Sequence, residues 1–150
     1  MKKRNPEILA IFVSILGVFV CACNYTSNAP SEVGVDKDVI VAIYSTIDRG
    51  GSVDTVSPCL MKETVHISGL LHYPEDKGIT MPFLLSDSIR YAEITQENLN
   101  KRIAISVNGQ VISTPVVKMK LDNGACSVVL NEAQMTELFP NVNMEELKGN

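Results

Sequence analysis

The residues of this sequence best suited to chemistry are two histidines, His66 and His72, and four cysteines, Cys21, Cys23, Cys59 and Cys126. The histidines are six residues apart on one extended stretch. They would share a face but stand about 20 Å from each other, too far to hold one metal ion, unless the chain bends near Tyr73-Pro74. Cys59 is a third ligand in principle only, so the pattern reads as partly exposed strand histidines and no metal site is expected. Nucleophilic catalysis needs a base within hydrogen-bond reach of the nucleophile, and a third group to orient that base. Ser45, Ser57, Ser68, Ser86 and Ser113 fall in strand or capping contexts, and neither a Gly-x-Ser-x-Gly elbow nor a Gly-rich phosphate loop is present. The acidic pairs Glu75-Asp76 and Glu145-Glu146 fall in a turn and near the end of the chain, where they read as solvated charge. The sequence therefore predicts a non-enzyme without a cofactor, and a hydrolase is the disfavoured alternative.

The N-terminus carries a different chemistry. Lys2, Lys3 and Arg4 precede an apolar run from Ile8 to Val20. A bilayer-spanning helix needs roughly 20 apolar residues, so this run is short for a span and suited to the core of a signal peptide. The next residues, Val20-Cys21-Ala22-Cys23, resemble the lipobox of bacterial lipoproteins, in which small residues precede the cysteine that receives lipid. Cys23 fits that role better than Cys21, which follows bulky Phe19 and Val20. The alternatives are a signal peptide with a chance cysteine and an uncleaved anchor. The expected organisation is a signal peptide over 1–22, a flexible tether over 23–36 that is small and polar from Asn24 to Glu32, and one domain over 37–150. No acidic run follows Cys23 directly. Some envelope lipoproteins carry such a run as a surface-export signal, so its absence favours a lipid-anchored protein of the bacterial cell envelope that faces the periplasm.

The chain has a formal net charge of −4 at pH 7. Loss of Lys2, Lys3, Arg4 and Glu7 with the signal peptide would make the mature domain more acidic. No basic cluster is visible along the sequence, which argues against a phosphate-backbone partner and hence against nucleic acid. Cys59 and Cys126 could close a disulfide in an oxidising compartment, worth up to ~4 kcal/mol, or remain buried thiols acting as small hydrophobes.

The elements that must position these residues are legible from periodicity and turn chemistry. Val39 to Ile47 and Glu63 to Tyr73 read as strands, Ser52 to Pro58 is ambiguous, and Pro74 to Gly78 is a turn. Ile79 to Leu85 is a further strand. Ser86 or Asp87 can cap a helix whose stripe is Ser88, Tyr91, Ala92, Thr95 and Leu99. Arg102 to Val107, the Asn108-Gly109 turn and Gln110 to Thr114 form a hairpin. Pro115 ends the pairing, Val116 to Leu121 extends again, and Ala125 to Leu130 is the last strand. Asn131 caps a short helix to Phe139, with Ala133, Met135, Leu138 and Phe139 available for packing, and Met144 to Leu147 adds a final turn. The fold class is α+β: an antiparallel sheet with one main helix and one shorter one. Asp87-Ser88-Ile89 and Asp54-Thr55-Val56 resemble an acceptor pattern for O-glycans, but a helix cap and a loop explain them.

One region also resembles a known family. Met81-Pro82-Phe83-Leu84-Leu85-Ser86-Asp87, Tyr91-Ala92-Glu93-Ile94-Thr95, Asn98 with Lys101-Arg102-Ile103-Ala104-Ile105, and Asn108-Gly109-Gln110-Val111-Ile112-Ser113-Thr114-Pro115 occur in order. At this spacing they are similar to the first periplasmic head subdomain of SecD/SecDF, the protein-export motor subunit, over residues 79–139. Asn100 and Asn108 depart from the family's Gly and Asp, and the transmembrane segments of the motor are missing. The resemblance implies a head-like fold with a peptide-contacting surface, and it does not imply proton-driven export. An edge at Pro115, Val116 and Val117 could accept an extended peptide by strand addition. The expected function is a membrane-anchored lipoprotein whose non-catalytic domain binds an envelope protein or peptide. The alternative is an inhibitor or immunity-type lipoprotein that neutralises one secreted toxin or protease.

Overall fold

The computed structural model describes residues 29–49 and 52–148. The signal peptide and Cys23 lie outside the described residues. From Ser31 onward the sequence alternates, with Val33, Val35, Val39, Val41 and Ile43 turned inward and Glu32, Asp36 and Asp38 turned to solvent. This period of two makes β1 (Ser31–Arg49) a 19-residue strand, which pairs antiparallel with β2 (Ser52–His72). The remaining elements are β3 (Ile79–Leu84), α1 (Ser88–Glu97), β4 (Ile103–Val107), β5 (Gln110–Ser113), β6 (Ala125–Leu130), α2 (Glu132–Leu138) and α3 (Met144–Lys148). The strands form a six-stranded antiparallel sheet in the order β5-β4-β1-β2-β3-β6. The α+β class read from the sequence is the class of the structure.

Three boundaries differ from the sequence reading. Ser31 to Asp36, assigned to the tether, are the first residues of β1, because Val33 and Val35 have Leu70 and the core to pack against. Ser52 to Pro58 belong to β2. The ladder between Ile43↔Met61 and Ser45↔Val56 loses register there, leaving Ser57 to Leu60 opposite Tyr44. Pro58 has no N–H to give the ladder, which accounts for a break at this point. Val116 to Leu121 is not a strand: one isolated bridge joins Arg102 to Val116, after which the chain turns aside so that Leu121 N–H reaches the Thr95 hydroxyl at 3.0 Å.

The main core lies on one face of the sheet, and at the centre Ala42, Ala104 and Ser106 are buried on the other. Ile67, Leu70, Met81, Leu130 and Val107 are fully buried on the main face, each contributing about 1.5–3 kcal/mol relative to exposure. α1 closes over this face. Asp87 caps it by accepting from Arg90 N–H at 2.9 Å, and Tyr91, Ala92, Ile94 and Thr95 are buried. Ser88 and Leu99, the ends of the predicted stripe, are only partly covered. At the other end of the sheet, Asn131 and Gln134 exchange hydrogen bonds in a capping box that starts α2. Met135, Leu138 and Phe139 pack inward, while Ala133 points to solvent. Lys37 ties this end to β1, donating to the Leu138 carbonyl and lying 5.5 Å from the Phe139 ring centre. Ser31 likewise donates to the Leu147 carbonyl of α3.

The Asn108-Gly109 turn has positive φ at both residues, as a two-residue hairpin of the favoured hand requires. Asn108 also clamps the turn to β1, since its side-chain oxygen accepts from Ile40 N–H at 2.9 Å. Residues 39–73, which fall outside the family resemblance, are the centre of the sheet rather than a separate edge. Among the described residues no helix is long and apolar enough to cross a membrane.

Candidate functional site

The predicted chemistry-bearing residues are not brought together. His66 is on the solvent face of β2, with Nδ1 at 2.9 Å from Asp38 Oδ1 and Nε2 at 3.8 Å from Asp36 Oδ1. His72 is at the far end of the same strand, half-buried beside Ser31. Among the described residues there is no group of three or more His, Cys, Asp or Glu side chains able to hold a metal. Cys59 and Cys126 are both free, so the disulfide left open by the sequence is not made. Cys59 sits in the irregular stretch of β2 against β1, whereas Cys126 is on β6, opposite Phe83 of β3. Asp87 of the glycan-like pattern is occupied as the cap of α1.

The proposed peptide edge at Pro115, Val116 and Val117 is largely used by the fold. Val117 N–H donates to the Lys101 carbonyl at 2.9 Å, and the Val117 carbonyl accepts from Asn100 N–H at 2.7 Å. The Pro115 carbonyl accepts from Ile103 N–H, and the Val117 side chain is 7% exposed, in the core. Pro115 has no N–H, so Val116 alone has its backbone groups turned outward. The neighbouring edge of β5 is four residues long, and its register with β4 shifts beside Ser106. Short length, a bulge and a proline are the devices that blunt a sheet edge.

β6 is different. The hydrogen bond from Leu85 N–H to the Gly124 carbonyl fixes the alternation of the β3–β6 ladder. Phe83–Cys126, Met81–Val128 and Ile79–Leu130 are then the hydrogen-bonded rungs. Pro82 falls opposite Ser127, where no donor toward β6 is needed. Ala125, Ser127 and Val129 consequently turn their N–H and C=O groups away from β3. Ala125 N–H confirms the direction, since it is taken by the Asn123 side chain at 3.1 Å. β6 is the last strand of the sheet and pairs with no further strand, but β5 comes near it and the Ser127 N–H is drawn to the Cys126 thiol, so the open part of this edge is at Val129. The Ser127 and Val129 side chains are both exposed, Val129 by 53%, and Ala125 to Leu130 carry no charge and no proline.

The sheet curls until β5 and β6 approach one another without pairing. The seam between them holds a cavity of about 440 Å³ lined by Tyr91, Ile105, Pro115, Leu121 and Ala125 to Ser127. Tyr91 and Cys126 lie close enough beneath it to influence each other's ionisation. Burial pushes the ionisation of both groups upward, and for Cys126 it outweighs the stabilising hydrogen bonds from Tyr91 and the Ser127 backbone. Both are therefore neutral near pH 7, and the cavity wall is apolar with one weak donor–acceptor pair. The sequence signal for this site was present in the uncharged, β-branched run of β6. The strand order needed to recognise it as a free edge was not.

No protein-family model matches the chain, and no curated protein matches it. Among solved structures, the chain is similar to one from a study of SecDF, a membrane component that enhances protein export. The similarity has 9% identity and a TM-score of 0.47, covering 92% of this chain and 69% of that one. At that level the architecture described here rests on this chain's own strand order and register.

Proposed function

We propose that this protein is a non-catalytic, lipid-anchored domain of the bacterial envelope that takes a segment of a partner protein in extended form along β6. The observation that carries the binding role is the unpaired β6 edge beside the seam cavity. Added strands gain main-chain hydrogen bonds from such an edge, and alternate side chains find pockets on one face. The anchor rests on Lys2 to Arg4, the Ile8–Val20 run and the lipobox-like Val20 to Cys23.

Both parts are testable on the full chain made in a bacterial host. Intact mass and membrane partitioning, compared with Cys23→Ala, should show a diacyl- or triacyl-sized addition that the variant lacks. A wild type that is soluble and cleaved elsewhere overturns the anchor. For binding, the lipidated chain in detergent micelles is titrated with a library of ten-residue strand-forming peptides. Binding should protect the Val129 amide from hydrogen exchange. Val129→Pro, which removes only an outward N–H, should abolish it while leaving the fold intact. Protection elsewhere, or no binding peptide in the library, overturns the strand-acceptor role. One tight, stoichiometric folded partner in place of many peptides would favour the inhibitor reading.

A further inference from the structure

The face of the β3–β6 ladder turned away from the core is uncharged. Thr80 pairs with Val129, Pro82 with Ser127 and Leu84 with Ala125, and side chains opposite one another share a face. These six form one contiguous patch, because Ile79, Met81, Phe83, Val128 and Leu130 take the buried face. Thr80 is half-buried and the other five are exposed, Leu84 by 66% and Val129 by 53%. On β1 and β2 the solvent side carries charge, with Asp38 opposite His66 and Lys62 opposite Ala42. The patch is also at the tethered end of the domain. Glu32, Leu71, Thr80 and Val129 are successive partners across β1, β2, β3 and β6. At ~4.8 Å per strand, Val129 is therefore about 14 Å from the start of β1. Leu84 follows Thr80 by four residues, about 13 Å along β3.

Resting on the reading of Cys23 as the lipid anchor, we infer that this patch docks on the bilayer to which the chain is attached. Cys23 is eight residues before Ser31, so the chain between them reaches at most about 28 Å. The whole patch lies within that distance of the start of β1. Ile47, exposed by 45% near the far end of β1, does not, since it is about 50 Å along the strand from Ser31. Two aliphatic side chains and a proline would not hold a free domain on a bilayer. The anchor makes docking intramolecular, so a modest preference for the apolar phase is enough. The contact is apolar rather than electrostatic: Glu75 and Asp76, with Lys77, occupy the turn between β2 and β3 at the same end of the sheet, and an anionic surface opposes them. Main-chain groups of β6 lie in the plane of the sheet, and its side chains stand perpendicular to that plane. Docking through the patch therefore leaves the β6 edge open to the side, along the bilayer surface.

The sequence has no tryptophan, so a single introduced one reports on its own position. The lipidated full chain carrying Leu84→Trp, Val129→Trp or Ile47→Trp is reconstituted on phosphatidylcholine vesicles with and without bromine on the acyl chains. Bromine quenches only rings that enter the bilayer. Leu84→Trp and Val129→Trp should lose roughly half of their emission, as side chains seated at the headgroup and acyl boundary do. Ile47→Trp should lose none. Adding Leu84→Asp to Val129→Trp should remove the quenching while the chain still sediments with the vesicles, and doping with phosphatidylglycerol should weaken it. Chains that sediment but are quenched at neither patch position overturn docking and leave the anchor standing. Chains that do not sediment overturn the anchor and docking with it. Equal quenching at all three positions, or quenching that survives Leu84→Asp, overturns the assigned face. An unquenched blue shift at Leu84→Trp that grows with protein concentration assigns the patch to a second copy, and the inference fails.

Discussion

β5 closes one side of the sheet with four residues, a register shift and then Pro115, and the segment beyond it has both backbone groups of Val117 hydrogen-bonded. β6 closes the other side with six uncharged residues, and Val129 turns its peptide groups outward. Unpaired edges are a hazard that folded proteins usually blunt. That one edge of the same sheet is blunted and the other is not makes the second edge the candidate for a working surface. The difference also shows why a proline or a β-branched residue cannot be judged from its local sequence alone. Val117 and Val129 look alike in the chain, yet one is a core rung and the other a free edge.

The largest effect should separate these two valines. Val117→Pro removes the N–H that bonds Lys101 and empties a core position, and should cost about 3 kcal/mol or more. Val129→Pro should cost far less, because Pro82 already sits in β3 at a position that donates nothing to β6. Urea unfolding of the two variants tests this. Equal losses would mean that the assigned alternation of the β3–β6 ladder is wrong.

Next in size is the start of β6. Gly124 has φ of +70°, and a Cβ there would lie 2.5 Å from the Leu85 carbonyl oxygen. Gly124→Ala should therefore destabilise by about 1–3 kcal/mol and disturb the bond that sets the β3–β6 register. A variant as stable as wild type would show that this junction is slack. At the other end of β6, Asn131→Ala removes the capping oxygen of α2 and should cost about 1 kcal/mol. The loss should be the same with and without a bound peptide, because the cap lies outside the edge.

The smallest effect is a dependence on pH. Burial raises the ionisation of Cys126, and of Tyr91 beside it, above their unfolded values. The unfolded chain then releases protons first as pH rises. Stability from these neutral groups is complete below the unfolded cysteine value of about 8.5, and it is lost as pH climbs through the folded value. Melting temperature followed from pH 7 into the alkaline range should fall earlier for wild type than for Cys126→Ala. Superimposable curves would remove Cys126 from the account.

Much of the fold was readable because it is encoded locally. Asn108-Gly109, the Asp87 cap and the Asn131 cap each act over a few residues, and all appear where turn and capping chemistry place them. The alternation of Val39 to Ile47 named its strand. The stretch before Asp38 was harder, because Val33 and Val35 are apolar positions in a polar segment and only the core opposite them decides that they are strand. Ser52 to Pro58 resisted for a related reason. Its irregular pairing is held by the length of the neighbouring strand, not by its own periodicity.

What the sequence determined by itself is therefore most of the elements, the antiparallel α+β class, the acidic balance and the lipobox-like N-terminus, each a property of neighbours in the chain. Tertiary structure alone decided which strands are terminal, that Tyr91 lies near Cys126, and that Val117 is in the core while Val129 is exposed at an edge. Those facts depend on strand order and on the alternation of hydrogen-bonded rungs. Both are set by contacts between residues far apart in sequence, and no local pattern encodes them.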